Sequence, residues 1–459
     1  AQSRWLTVDP EDRLSDITEN ARAIRDQGLG GLILTGYPGE DVLEQVAYYQ
    51  SCSSLPLDLA LEGSWKAQFP GFLALSAIAS DSLRYLAGLS LAEELREKGA
   101  NLIISEGMDQ AIEEGLRDMQ IQVLDPEWIR GLEASAHPDS IENRARQALA
   151  LKYWIKQGDV KISRKSGQSA FMRDLYAHSL TVLYNQDEVI PLRALEKTNI
   201  ACLAVNKQEL TGFQKMAGQY TRTDNYNWSP GSENTKELIK ELAGYDLVLA
   251  AVYPGKSPEA TEAFISSLGQ DTKLILVWFG DAAGLEQYLA FSSSGTSREP
   301  EGFILAHDQE PITQGLSAQL IFGGIGASGR LPVALGAQYP VGHGISTPGG
   351  LRLQYGFPEN AGLNSSQLHQ SIDSIVNGGL EAGAYPGCQV IIARKGIVIF
   401  QKAYGHHTYE KRTEVRNNDL YDLASVTKIS GPLSGLMLLE GQGKFSYQNQ
   451  LGDYCTAMK

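Results

Sequence analysis

Leu247-Val248-Leu249-Ala250-Ala251-Val252 is an unbroken apolar run followed by a helical pattern. Its reading as a strand decides the fold, because three further runs repeat the arrangement. These are Ile200 to Val205, Leu274 to Phe279 and Phe303 to Ala306, each again followed by a helical pattern. That spacing predicts a doubly wound α/β/α sandwich. Just upstream, a helix is predicted near Met172 to Leu183, then a turn at Asn185-Gln186-Asp187 and a short extended piece at Ile190-Pro191-Leu192. Gly323-Gly324-Ile325-Gly326 follows a helix rather than a strand, so it reads as a loop and not as a phosphate-binding fingerprint.

Further upstream the alternation continues. A helix over 16–27 leads to the apolar strand Leu32 to Thr35, a second strand runs from Leu57 to Leu61, and a third from Leu102 to Ser105. An amphipathic helix at about Asp81 to Lys98 enters the third, and helices dominate from there to Trp154. Alternating strands and helices imply a parallel sheet or barrel. A complete eight-fold barrel takes about 250 residues, far more than precede the polar, basic linker Gln157 to Gln168. A reduced barrel-like segment with three strands is therefore expected over residues 1–158, and the sandwich over 170–346.

Composition narrows the function classes. The chain has 459 residues, which suggests two to four domains. Apolar residues make up 42% and charged residues 20%, as in a globular protein with sizeable cores. A formal charge of −15 with no Lys/Arg-rich block argues against nucleic acid as a partner. No apolar run reaches the length of a membrane span, so no integral membrane segment is expected. Cys52, Cys202, Cys388 and Cys455 lack the paired spacing of a zinc or redox site and read as separate thiols. No metal or cofactor is expected. The start Ala1-Gln2-Ser3 is compatible with signal-peptide removal, hence with export to the periplasm or cell surface, and equally with a trimmed chain.

Downstream of the sandwich, Ala327 to Asn360 is rich in Gly and Pro and reads as a strand end running into an extended linker. A third domain is expected over 361–459. It opens with a helix from Ser365 to about Leu380, followed by a β-hairpin of Cys388 to Arg394 and Ile397 to Tyr404 around a turn at Lys395-Gly396. A polar loop then leads to Tyr421-Asp422-Leu423-Ala424-Ser425-Val426-Thr427-Lys428, read as the start of a helix. Positions i and i+3 share a helix face, so the Ser425 hydroxyl and the Lys428 amine can meet. A serine hydroxyl needs a base to become a nucleophile, and a lysine held neutral by burial and dipoles can serve. Chance alone yields a Ser-x-x-Lys roughly once or twice in a chain of this length, so context decides.

The context supplies a resemblance. Pro386-Gly387-Cys388-Gln389-Val390, then Tyr404-Gly405, then Asp419 to Lys428 resembles the opening of the serine β-lactamase and penicillin-binding protein family, especially its class C and esterase-like branch. The whole order resembles bacterial proteins in which a glycoside hydrolase family 3 enzyme of the β-N-acetylglucosaminidase type is fused to a β-lactamase-like domain. The barrel-like match rests on Gly30 to Leu34 and Leu55 to Trp65. The sandwich match rests on Leu175-Tyr176, Leu180 to Asn185, Ile190-Pro191-Leu192 and Ser328 to Val333. The resemblance implies an α/β chain ending in part of a β-lactamase-like α+β domain. It implies Ser425 as the acylated nucleophile and Lys428 as its proton-accepting partner, acting on a glycan, ester or cell-wall peptide.

Departures from both families accompany the match. Where the glycosidases carry a sugar-binding aspartate this sequence has Glu62, the candidate substrate-binding residue. Their Phe-Pro-Gly-His segment and the strand bearing the aspartate nucleophile are absent, so the expected barrel is catalytically silent. Glu106, Asp109, Glu113 and Glu114 read better as a solvated, acidic helix start than as sugar-cleaving carboxylates. The β-lactamase-like family also uses a Tyr-x-Asn motif and a Lys-Thr-Gly-like strand, expected downstream of Lys459, so the chain as given carries half of such a site. Pro432 is a further departure, expected to kink the helix or end its first turn early. His178 and His307 read as packed or surface residues, and His406-His407 point to opposite sides of the chain. Trp65 and Trp278 read as core residues rather than sugar platforms. The competing expectation is a non-catalytic carbohydrate-binding or scaffolding protein.

Overall fold

The apolar runs in the middle of the chain are strands, as seen in a computed structural model that describes residues 5–8, 20–22, 24, 31–35, 49, 58–62, 72–97, 100, 102–104, 108–119, 121–124, 168–292 and 299–454. The protein is a mixed α/β chain with parallel-rich sheets. It divides into two units, residues 1–368 with 392–399, and residues 369–391 with 400–459.

The first unit opens with a five-stranded sheet of β1 (Trp5–Val8), β2 (Gly31–Thr35), β3 (Asp58–Glu62), β4 (Leu102–Ile104) and β5 (Gln122–Leu124), in that spatial order. All neighbouring pairs are parallel. Sequential parallel order is how a βα barrel winds, but among the described residues the sheet stays open. Three strands were expected here. β4 is as short as β5 but wholly apolar, whereas β1 and β5 are interrupted or opened by the polar Thr7 and Gln122 and do not stand out as apolar runs. Helices α1 (Phe72–Ser76), α2 (Asp81–Glu97) and α3 (Gln110–Asp118) follow β3 and β4 in the chain. The backbones of α2 and α3 touch: a Cβ added to Gly88 would stand 2.2 Å from the Ile112 carbonyl oxygen, and one on Gly115 2.3 Å from that of Tyr85. The expected closing helices to Trp154 and most of the linker from Gln157 lie outside the described residues.

After α4 (Gln168–Ser179) comes the sandwich sheet: β6 (Thr181–Asn185), β7 (Ile200–Val205), β8 (Asp224–Trp228), β9 (Leu247–Val252), β10 (Leu274–Trp278) and β11 (Gly302–Leu305), ordered β6-β11-β10-β9-β7-β8. Every pair is parallel except β6 with β11. Period-two geometry divides each strand between two cores. Cys202, Ala204, Leu249, Ala251, Ile275 and Val277 join one apolar cluster, which also takes in Leu91, Ile103 and Leu116 from the N-terminal region. Leu203, Val205, Val248, Ala250, Leu276 and Leu305 join the other. Burial on both faces is why these strands read as unbroken apolar runs.

One expectation fails in this region, and one strand has no counterpart among those expected. The helix expected to reach Leu183 ends at Ser179, and Thr181 to Asn185 form the antiparallel edge strand β6. The residues Asp224-Asn225-Tyr226-Asn227-Trp228 form β8 despite their polarity, because β8 is the other edge and only Trp228 is buried. The Gly/Pro-rich stretch after the sandwich is irregular, with bridges Val182 to Ile345 and Leu335 to Tyr339. Arg173 is a buried cation there. Its guanidinium donates to the Tyr355 carbonyl at 2.8 Å and to the Gln319 and Gln354 side-chain carbonyls at 3.3 Å each.

The boundary between the units passes through helix α5 (Ser365–Glu381) and through the hairpin of β13 (Gly387–Arg394) and β14 (Ile397–Gly405), both expected from the sequence. Lys395 and Gly396 have φ of 54° and 79°, the left-handed pair that a two-residue hairpin turn needs. β12 (Gln354–Tyr355) adds to β14 in parallel through Gln354 to Ile397 and Tyr355 to Val398. The remaining described residues of the second unit form loop and short helical turns, α6 (Ser434–Gly441) and a turn at Leu451–Tyr454. Helix α6 exposes Leu436, Met437, Leu438 and Leu439. Among the described residues no helix is long and apolar enough to cross a membrane.

Candidate active site

The Ser425 segment is not the regular helix that its pattern predicts. Ala424–Val426 is a 3-10 turn, Thr427 and Lys428 are α-helical, Ile429–Leu433 is a π-helical turn, and α-helix resumes at Ser434. Pro432 explains the wide turn: it has no N–H to give to Lys428, and its ring would crowd that carbonyl in an α-helix. Ser425 and Lys428 nevertheless come together. The Lys428 Nζ donates to Ser425 Oγ at 3.1 Å, with both side chains exposed. Immediately before the serine, Ala424 sits at φ 43°, a conformation costly for a residue with a Cβ. The Asp422 carboxylate accepts the Ala424 N–H at 2.7 Å and stabilises that turn.

A polar clasp precedes this turn. Asp419 Oδ2 accepts the Arg416 N–H at 2.6 Å and faces His407 Nε2 at 2.8 Å. Hydrogen bonding from the Arg416 N–H, and then His407, hold the Asp419 carboxyl below its ordinary value. Gln389 on β13 donates its amide to the Asp419 carbonyl at 3.0 Å and also to that of Arg416. Sequence reasoning missed Gln389, Asp419 and His407 as a group. The partners lie up to 30 residues apart, and no local spacing announces them.

Glu62, the candidate sugar-binding residue, is the last residue of β3, in register with Thr35 on β2 and Ile104 on β4. It thus lies at the carboxyl end of a parallel strand, where βα folds place their ligands. The other acids have structural partners. Asp109 caps α3, accepting the Ala111 N–H at 3.0 Å and Arg84 Nε at 3.1 Å. Glu113 pairs with Arg117, and Glu114 accepts from Gln110 at 3.1 Å. Glu106 and Trp65 lie outside the described residues, as do Cys52 and Cys455.

The histidines are dispersed. His178 Nδ1 lies 2.7 Å from the Asp174 carbonyl. His307 is buried against Thr181 Oγ1 at 3.1 Å, and burial lowers its pKa to about 4, so the ring is neutral. Trp278 is buried, stacks obliquely on Tyr288 and donates to the Asp281 carbonyl at 3.1 Å. Cys202 is a buried free thiol, pushed up to about 12 by burial, and Cys388 is also free. Among the described residues no three His, Cys, Asp or Glu side chains are grouped to hold a metal ion.

Comparison with known proteins gives two kinds of likeness. No family model matches the chain. In sequence, 96 residues are 29% identical to Protein flp of Staphylococcus aureus (strain MRSA252), covering 21% of this chain and 19% of that protein. A stretch of 109 residues is 28% identical to a putative D-alanyl-D-alanine carboxypeptidase of Salmonella paratyphi A, covering 22% of this chain and 25% of that protein. The chain thus spans about a fifth to a quarter of the length of these curated relatives.

In structure, the chain is similar to a β-glucoside phosphorylase (TM-score 0.52, 10% identity, covering 72% of this chain and 92% of that one). It is also similar to a fungal multi-domain glycoside hydrolase family 3 β-N-acetylglucosaminidase (TM-score 0.51, 13% identity, 75% and 61%). A third similar structure is a β-glucosidase from Erythrobacter marinus (TM-score 0.51, 13% identity, 75% and 81%). At these identities the likeness establishes fold, the α/β architecture that the alternating strands predict.

Proposed function

We propose that the protein is a hydrolase of glycan or cell-wall metabolism in which Ser425 is the acylated nucleophile and Lys428 its proton acceptor. One observation carries the proposal: Lys428 Nζ lies 3.1 Å from Ser425 Oγ. Support comes from the 28% identity to a protein named as a putative D-alanyl-D-alanine carboxypeptidase. In the proposed reaction the Lys428 amine takes the hydroxyl proton as Ser425 Oγ attacks an ester or amide carbonyl. The tetrahedral intermediate then expels its alcohol or amine, which leaves with that proton, and water releases the acid from the acyl-serine. In this reading residues 1–158 and 170–346 form the glycosidase-like part and 361–459 the acyl-transfer part.

A second reading is favoured by the N-terminal sheet. Its fold is glycosidase-like, yet Asp109, Glu113 and Glu114 are engaged in helix capping and side-chain pairs on α3. This reading assigns that part glycan binding without turnover, with Glu62 at the strand end touching the sugar. Two substrates separate the readings. Hydrolysis of a D-alanyl-D-alanine peptide or an aryl ester, lost in Ser425→Ala, is expected from the first. Binding of N-acetylglucosamine oligomers with no release of p-nitrophenol from the aryl glycoside is expected from the second. Brisk glycoside turnover would contradict the second reading.

A further inference from the structure

We infer that Asp419 and Gln389 are positioning residues for Ser425, an inference that rests on acyl transfer at that serine. The segment between clasp and nucleophile has little packing of its own. Leu420 is 97% exposed, Tyr421 47% and Leu423 54%, so apolar burial does not fix the path of the chain into Ser425. Hydrogen bonds must do so instead. The Arg416 N–H donates to Asp419 Oδ2 at 2.6 Å, and the Asp419 N–H returns to the Arg416 carbonyl at 3.1 Å, closing 416–419 into a tight turn. Gln389 spends both amide hydrogens on the two carbonyls of that turn, those of Arg416 and Asp419. Its side chain projects from β13, so a strand holds the turn. Val415 N–H donates to the Gly405 carbonyl at 3.1 Å and fixes the entering end of the loop.

Beyond Asp419 the Tyr421 ring meets that of His407, centroids 6.2 Å apart, and the Asp422 to Ala424 turn closes before the serine. Asp419 is therefore the last residue ahead of Ser425 to which a side chain of β13 gives a hydrogen bond. A nucleophile works only within a fraction of an ångström of its productive place, and a displacement of about 1 Å costs roughly 10²-fold in rate. The chemistry of the clasp distinguishes substitutions of nearly equal size. Glutamate at 389 has no N–H to give to the two carbonyls. Asparagine at 419 keeps an oxygen for the Arg416 N–H, whereas alanine does not.

The test is the rate at which a fluorescent fluorophosphonate labels Ser425, with hydrogen exchange over residues 420–428 measured on the same proteins. Gln389→Glu and Asp419→Ala should label about 10²-fold more slowly and exchange faster across 420–428, with β13 and β14 still protected. Asp419→Asn should recover most of the rate. Wild-type labelling rates in Gln389→Glu and Asp419→Ala overturn the inference and leave acyl transfer standing. If wild-type Ser425 takes no label, acyl transfer fails, and unchanged exchange over 420–428 in the variants then overturns the clasp as well. Loss of protection throughout β13 and β14 in every variant, Asp419→Asn included, assigns these residues to general stability and also overturns it.

Discussion

Lys428 Nζ and Ser425 Oγ stand 3.1 Å apart although the serine lies in a 3-10 turn and the lysine in the short α-helical step after it. The i, i+3 relation survives because 3-10 and α turns both bring such positions to one side. The proline that widens the next turn lies beyond the pair and does not separate it.

Removing the proposed base should slow acyl transfer and spare the fold. Lys428→Met is expected to lower the acylation rate of Ser425 by about 10² to 10⁴-fold, with an unchanged melting temperature because the side chain is exposed. Single-turnover labelling against time checks this, and an equal rate in the variant contradicts the role of Lys428.

Ala424 holds a left-handed φ of 43° beside Ser425, the proposed nucleophile. Glycine reaches that conformation without Cβ crowding, so Ala424→Gly should relieve about 1 kcal/mol of strain. Urea unfolding followed through the second unit reads the gain.

His307 and Asp308 should oppose each other as pH falls. Burial lowers the His307 pKa from 6.5 to about 4. The unfolded chain therefore binds that proton first, and stability is lost as pH drops from about 6.5 to 4. Asp308 is raised from 3.8 to about 6, chiefly by burial. The folded chain takes up its proton first, so acidification through the same range adds stability. Asp308→Asn removes only the second contribution. Relative to wild type it should lose on the order of 2 kcal/mol between pH 6.5 and 4, allowing for partial exposure of the carboxyl. Denaturant titrations across that range test the sign, and parallel profiles for the two proteins contradict it.

The contact between α2 and α3 leaves no room for a methyl group. Gly88→Ala and Gly115→Ala each drive a Cβ into a backbone carbonyl, which should cost about 2 kcal/mol or more. Thermal melts check the loss, and Ser82→Ala, at an exposed position of α2, serves as a neutral control.

Legibility in the sequence followed burial. β7, β9, β10 and β11 were readable because both faces of each strand enter a core, which leaves an unbroken apolar run. The edge strands were not: β8 is mostly polar, and β6 continues the apolar pattern of the helix before it. Ser425 and Lys428 were readable because the relation is local. The Gln389 clasp was not, because its two ends meet only when the hairpin has folded. The π-helical turn followed from Pro432 as a break in the helix, though not in its form.

The most direct measurement is the mass of the tryptic peptide Asn417 to Lys428 after the purified protein is treated with a serine-directed acylating probe. Acyl transfer predicts an adduct of the probe's acyl mass on Ser425 within that peptide, absent in Ser425→Ala and slow to form in Lys428→Met, where loss of the cleavage site extends the peptide to Lys444. An unmodified peptide, or equal labelling of Ser425→Ala at another residue, would contradict the account.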